Sequence, residues 1–318
     1  MLDNFSMNGT NFQAFANNTA SIPAQKYSVG LQIWVSVMLT FGLCGGALSY
    51  ILAATILCQR SLRSGSGILI AHTLLTEGTL LFVSFPLLTV QTFIARHNPP
   101  SVTTCHVVAW IYYVILQATH WTEMLIAVNR FVAVILPHHY RAMTGKRATI
   151  SMIVACWTIC IVNMTLPLFN VAAQIDSNNF WKSCTMRGLK GQGQVFLFLV
   201  SFNAYIPIGV EGTLYLVMFC VIFSRRAAGK SHSRVDTGTP QMLASKVAEV
   251  QRLERRLRLA KMLFVGFIVP AICSLLTPIM VAAWPPYVTY PLLHLTLRAV
   301  LVVGYAIHPV IGEFFAVT

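Results

Sequence analysis

From His106 to Leu136 the chain reads HVVAWIYYVILQATHWTEMLIAVNRFVAVIL, thirty-one residues with only two full charges, Glu123 and Arg130. About 20 apolar residues in a helix cross a ~30 Å hydrocarbon core, so this stretch is long enough to span a membrane. Moving outward, the same test finds six more. They run over about Val29–Cys58, Ile68–Ile94 with Glu77 inside it, Ala148–Val171, Val195–Phe223 with Glu211, Met262–Trp284, and Leu292–Phe315 with Arg298. Lipid offers no partner to a backbone N–H or C=O, so the spans must be helices. The expectation is an all-α membrane protein, a seven-transmembrane helix bundle over residues 29–316. No internal repeat is visible, which argues against a transporter built from duplicated halves.

Composition agrees. Of 318 residues, 56% are hydrophobic and 10% charged, where soluble domains carry about 25% charged residues. So little charge cannot coat a soluble surface, which excludes a water-soluble enzyme and a disordered chain. The charge present is lopsided, 22 Lys and Arg against 9 Asp and Glu, net +13. Nucleic-acid binders carry such charge as basic stripes on soluble folds; here it falls in loops, and no nucleic-acid partner is expected.

The loops after the first, third and fifth spans hold Arg60 and Arg63, then Arg141, Lys146 and Arg147, then ten more between Ser224 and Lys261, 15 in all. The opposite side holds five: Lys26, Arg96, Lys182, Arg187 and Lys190. The positive-inside rule puts the 15 in the cytoplasm and the N-terminus outside. Without the loop after the fifth span the two sides would be level.

Two features support that orientation. Residues 1–28 carry three N-x-S/T sequons, at Asn4, Asn8 and Asn17, as expected of an extracellular glycosylated tail. Met1–Ala24 lacks the basic and long apolar regions of a cleavable signal peptide, so the first span is expected to act as signal anchor. Of eight cysteines, Cys44, Cys58, Cys156, Cys160, Cys220 and Cys273 lie in or at the ends of spans, where they read as small packing residues. Cys105 and Cys184 lie outside. An oxidising exterior would let them bridge and pin a loop across the bundle mouth; the alternative is two unpaired thiols.

The segment Asn129-Arg130-Phe131-Val132-Ala133-Val134, followed by Pro137 and Tyr140, resembles the end of the third helix in rhodopsin-like G-protein-coupled receptors, where Asp/Glu-Arg-Tyr is usual. Cys105 lies 25 residues before Arg130, Trp157 lies 27 after it, and Pro167 ten further; these resemble the family's disulfide cysteine and its fourth-helix tryptophan and proline. Pro207 with Tyr215 resembles the fifth-helix pair. Leu62-Arg63 and Leu74-Leu75-Thr76-Glu77 resemble the first cytoplasmic loop and second-helix acid, with Glu for the usual Asp. The likeness covers about residues 45–312, and the Asn-Arg-Phe form is similar to nematode chemosensory serpentine receptors. It implies a plasma-membrane receptor coupling an extracellular small molecule to a heterotrimeric G protein, with Asn129, Arg130, Phe131 and Tyr215 at the coupling end.

The chain also departs from that pattern. Gly46 or Ser49 stands near the expected first-helix Asn, and the sixth helix lacks its Trp before Pro. Pro270 has Phe264 six residues earlier, as in the family, whereas Pro278 fits better by depth. The seventh helix reads His308-Pro309-Val310-Ile311-Gly312 in place of Asn/Asp-Pro-x-x-Tyr, and Thr318 comes too soon for a full amphipathic helix with a palmitoylated cysteine. These changes bear on switching, not on architecture.

Ionisable residues at membrane depth are costly and mark function by default. Tyr112, Thr119, Glu123 and Arg130, spaced 7, 4 and 7 apart, form one stripe of the third helix. Arg130 at its cytoplasmic end can bind backbone carbonyls or a partner's C-terminus; the alternative is snorkelling to headgroups. Asn129 supplies no carboxylate to restrain it. Glu77 and Thr119 match positions that in the family hold a sodium ion. His308 stands in place of the seventh-helix Asn/Asp, and a Glu77–His308 bond without metal is the favoured reading. Glu123 and Glu211 are extra acids, with His120 the partner for one of them. They read as protonated carboxyls bonding between helices, worth about 0.6–2 kcal/mol each, or as a proton-linked switch.

The outer halves of the spans are expected to hold the ligand pocket, with Tyr112, Tyr113, His294 and Arg298 as candidates. No acid stands at the level of Tyr112, which argues against an amine ligand. A buried Arg298 favours an anion such as a carboxylate or lipid headgroup, unless it snorkels or pairs within the bundle. The last span has no lysine for a retinal Schiff base, so an opsin-like photopigment is not expected, and no cofactor is.

The basic third cytoplasmic loop, residues 224–261, opens with a Gly/Ser/basic stretch, Ser224–Pro240, that reads as flexible. Val247, Val250, Leu253 and Leu257 then recur at helical spacing among basic residues as a cytoplasmic extension of the sixth helix. Such clusters bind anionic membrane lipids at about 1 kcal/mol per residue. No metal-ligand set, phosphate loop or nucleophile elbow appears on the spans, so an enzyme is not expected; the alternative to a receptor is a seven-helix transporter or channel.

Overall fold

The computed structural model describes residues 28–60, 65–95, 98, 100–136, 138, 140, 145–177, 183–189, 191–232, 264, 266–277, 279–280 and 291–317. Six helices are long and apolar enough to cross a membrane: Val29–Cys58, Ser66–Ile94, Val102–Ile135, Lys146–Phe169, Gly193–Ser224 and Leu292–Pro309. The shorter apolar helix Gly266–Thr277 occupies the place of the sixth span. The bundle is therefore the expected seven-helix one, and the helices are named below by this order. The sequons at Asn4, Asn8 and Asn17, Pro278 and residues 233–261 of the basic loop lie outside the described residues.

Local chemistry sets the helix ends and kinks. Ser101 caps the third helix, its Oγ accepting from the N–H of Thr104 at 3.1 Å, which satisfies one donor that the first turn leaves open. The fourth helix tightens into a 3-10 turn at Leu166–Phe169, around Pro167, and stops at Asn170 in the left-handed region. The second and fifth helices each widen into a π turn, Leu80–Ser84 and Ser201–Tyr205. Each π turn ends just before a proline, Pro86 or Pro207. A proline inside a helix has no N–H and collides with the carbonyl four residues back; one wider turn relieves both problems.

One expectation changes. The fifth helix continues to His232, so the flexible reading of Ser224–Pro240 is corrected over its first part. Arg225, Arg226, Ala227, Ala228 and Lys230 favour helix, and a helix leaving the bilayer keeps its internal hydrogen bonds. The loop after the fourth helix is ordered as a hairpin, Ala173–Asp176 against Thr185–Gly188, antiparallel with Ile175 opposite Met186. It is fixed to the third helix by the Cys105–Cys184 disulfide, Cα atoms 5.2 Å apart. A second tie runs from the N–H of Met186 to the hydroxyl of Tyr113, 3.3 Å.

The second and seventh helices are the most enclosed, the first and fourth the most exposed. Outward-facing side chains such as Val29, Ile51, Val154 and Phe198 are apolar, a surface suited to acyl chains and not to water. The core joins the first, second, third and seventh helices through Leu31, Met38, Leu81, Phe85, Ile115, Val302 and Tyr305. Close approach there depends on glycine. A Cβ on Gly45 would stand 2.7 Å from Cβ of Ala306, and one on Gly46 2.7 Å from Cβ of Phe82.

Gly45→Val forces the first and seventh helices apart. Overpacking costs about 1–3 kcal/mol, and thermal unfolding of the purified protein should show a lowered Tm, with no such drop for Gly209→Ala, whose Cβ would meet nothing within 4 Å.

Candidate functional site

Apart from Arg298, the charged groups of the spans gather in the half of the bundle that ends at Arg130. A cavity of about 330 Å³ opens there, lined by Glu77 of the second helix, His120, Glu123 and Arg130 of the third, Glu211 and Tyr215 of the fifth, and His308 of the seventh. Glu77 is completely buried, and its Oε1 lies 2.8 Å from Nδ1 of His308, closing a hydrogen bond between the second and seventh helices. Thr119 does not join them. It is buried, and its hydroxyl donates to the carbonyl of Ile115 one turn back, at 2.9 Å.

A second polar chain crosses the bundle beside the first. Tyr305 of the seventh helix is fully buried, its hydroxyl 3.3 Å from both Oγ of Ser274 and Nδ1 of His120. That same nitrogen lies 3.6 Å from Oε2 of Glu123. Three helices thus share one line of polar atoms, Ser274 to Tyr305 to His120 to Glu123. Sequence reading overlooked Tyr305 and Ser274. The signal for Tyr305 was present: it lies seven residues after Arg298 and three before His308, on one helical stripe.

At the cytoplasmic end, Tyr215 is buried with Ala127 and Met218, and Phe131 packs against that group. The Tyr215 and Phe267 rings stand 5.6 Å apart. Asn129 is buried. Nε of Arg130 is buried with no hydrogen-bond partner among the described residues, so the guanidinium is held by neither a neighbouring carboxylate nor an ion pair described there.

The outer half is packed differently. Tyr112 is buried in the core, edge-on to Phe85 at 5.6 Å and to Tyr113 at 5.0 Å. Arg298 is also buried, with Nη1 lacking a hydrogen-bond partner among the described residues, and His294 lies one turn before it. None of Tyr112, Tyr113, His294 or Arg298 lines the cavity, so the cavity falls in the inner half and not where the sequence placed the ligand. A polar pair not foreseen, Gln117 and Asn203, links the third and fifth helices. Nε2 of Gln117 donates to Oδ1 of Asn203, which also accepts from Asn163 of the fourth helix at 3.3 Å. Single amides in apolar spans carry no charge to flag them. Among the described residues no group of three His, Cys, Asp or Glu side chains is arranged to hold a metal ion.

The architecture and its buried charges define a seven-helix integral membrane receptor. A family model of the seven-transmembrane receptors (rhodopsin family) matches residues 50–308, and the chain belongs to that family; it is accordingly a multi-pass protein of the plasma membrane, and not an enzyme. Over 260 residues the chain is 22% identical to melanopsin-B of Gadus morhua, which covers 81% of this chain and 39% of that protein. The chain thus spans well under half the length of that relative. The fold is similar to the crystal structure of squid rhodopsin, with TM-score 0.67 and 15% identity over 88% of this chain and 77% of that one.

The Glu77–His308 bond joins two elements far apart in sequence. His308→Ala leaves a buried acceptor without its donor, a loss of about 1–3 kcal/mol. Glu77→Gln and His308→Ala should be non-additive in a double-mutant cycle by more than about 0.5 kcal/mol, read from unfolding in detergent; additive losses would separate the two groups.

Proposed function

We propose that the protein is a ligand-activated receptor, chemosensory or orphan, that catalyses nucleotide exchange on a heterotrimeric G protein. The observation that carries this is Arg130. An always-charged guanidinium stands at the cytoplasmic end of the third helix, beside buried Asn129 and at the rim of the cavity that Tyr215 also lines. A free guanidinium there can receive the carbonyls of a partner's C-terminus, and Asn129 does not tether it as an acid would. Phe131 and Tyr215 complete the coupling surface, and residues 224–261, which begin as the end of the fifth helix, form a basic cytoplasmic segment that also meets anionic lipid. Residues 1–28 form the extracellular tail, glycosylated at Asn4, Asn8 and Asn17.

The ligand enters from the outer face, beneath the disulfide-pinned hairpin. Arg298, with its unpartnered Nη1, supplies a charge-assisted hydrogen bond to a small anion, with Tyr112, Tyr113 and His294 around it. Glu77, His120, Glu123, Glu211 and His308 form the polar core through which the two ends communicate. The Glu77–His308 bond occupies the acid without metal; sodium at Glu77 is the lesser reading.

The test is a second-messenger assay of the expressed protein against a library of small carboxylates, amines and neutral compounds. Arg130→Ala should abolish the response at unchanged surface level, and Asn129→Asp should lower basal signalling. Arg298→Ala should weaken anionic agonists by roughly 30-fold or more, the effect of losing about 2 kcal/mol from a buried charge pair. Ion currents independent of any G protein would contradict the reading.

A further inference from the structure

The inner cavity holds three carboxyl groups and one guanidinium. Glu77, Glu123 and Glu211 line it from the second, third and fifth helices. Glu211 is only 5% exposed, and among the described residues no hydrogen bond or ion pair reaches its carboxyl group. Oε2 of Glu77 and Oε1 of Glu123 are likewise buried without a hydrogen-bond partner there. Facing them are Arg130 at one end, His308 bound to Glu77 through the other oxygen, and His120 shared between Tyr305 and Glu123. His308 is taken up by Glu77 and His120 is shared between Tyr305 and Glu123, so among the described residues no positive group is bound to Glu211. A buried carboxylate without a counter-charge is costly, so the site favours whatever brings that charge.

The walls say what form the charge takes. The volume, about 330 Å³, lies within the ~300–1,000 Å³ of small-molecule sites and exceeds the needs of a bare ion. A hard cation such as Ca²⁺ or Mg²⁺ wants six or more oxygens around it, yet apart from the hydroxyls of Thr55, Thr73 and Ser274 the remaining wall is largely hydrocarbon, including Leu52, Ile126, Ile208 and Pro270. Phe267 and Tyr215 add two aromatic faces to the lining, and such faces attract alkylammonium groups. We propose that this cavity binds an apolar organic monocation, its ammonium group against Glu211 and Glu123 and its hydrocarbon body along the aliphatic and aromatic wall. Glu77 lines the same cavity but is already engaged by His308, and the outer level of Arg298 is separate from it. It does not rest on the receptor reading, because binding alone reports it.

The probe is tritiated benzyltrimethylammonium, whose charge does not vary with pH, added to the full-length protein in lipid nanodiscs. Saturable binding at one site is expected, with neopentylbenzene, its neutral carbon counterpart, failing to compete. Glu211→Gln and Glu123→Gln should each weaken binding at least tenfold. Ala271→Phe, which fills the cavity with every carboxyl group in place, should abolish it; thermal unfolding checks that each variant is folded. If Glu211→Gln does not fold, the comparison with the neutral counterpart and the Ala271→Phe variant decide. Absent saturable binding to the folded wild type, equal competition by neopentylbenzene, or undiminished binding in folded Glu211→Gln or Ala271→Phe overturns the proposal. So does binding lost in Glu77→Gln and retained in Glu211→Gln, which would move the cation to the second-helix acid. Each of those results leaves signalling through Arg130 to be judged on its own assay.

Discussion

Hydrocarbon offers no hydrogen-bond partner, and the inward-facing chemistry of this receptor follows from that. Backbone groups are satisfied within helices, and polar side chains turn inward to bond across them. The resulting ties hold the bundle in register: Glu77 to His308, Tyr305 to Ser274 and His120, Gln117 to Asn203, and Nε1 of Trp157 to Nε2 of His72 at 2.9 Å. A further one runs from the indole N–H of Trp34 on the first helix to the carbonyl of Leu295 on the seventh, at 2.8 Å. Hydrophobic burial does little to distinguish one helix pairing from another when the solvent is itself hydrocarbon. Close packing and interhelical hydrogen bonds take its place, which is why Gly45 and Gly46 matter as much as the acids do.

The two halves of the bundle differ in kind. The outer half is closed by aromatic packing of Phe85, Tyr112 and Tyr113 and covered by a hairpin fixed through Cys105–Cys184. The inner half is open around three carboxyl groups and one guanidinium. Between them the Ser274–Tyr305–His120–Glu123 line joins the sixth, seventh and third helices, so movement of one helix must break or carry the others' contacts. The π turns at Leu80–Ser84 and Ser201–Tyr205 put local irregularity in the two helices that carry Glu77 and Glu211. That arrangement suits a protein with two packings of nearly equal free energy.

The spans were legible because twenty apolar residues in a row have one physical explanation in a chain this poor in charge. Glu77 and His308 stood out for a similar reason, as ionisable groups where water is absent, and the structure puts them in contact. Cys105 and Cys184 were readable as the two thiols outside the spans. Other features were not. Ser274, Gln117 and Asn203 are neutral polar residues, common in membrane helices, and only tertiary packing singles them out; Tyr305 shares a stripe with Arg298 and His308 but carries no charge to draw notice. The π turns needed the local answer to Pro86 and Pro207, which hydropathy does not contain. The inner position of the cavity depends on how far the second, third, fifth and seventh helices separate near Arg130, a distance that no sequence period encodes.

The central claim, that this bundle acts as an exchange catalyst on a G protein, is tested most directly with purified components. Uptake of a non-hydrolysable GTP analogue by a heterotrimer is followed beside nanodiscs that hold the receptor or are empty. The account predicts faster uptake with the receptor at a rate proportional to its concentration, and no solute flux when the same protein is placed in sealed vesicles. Uptake equal to that with empty discs across the G-protein classes, together with flux across the vesicle membrane, would contradict it.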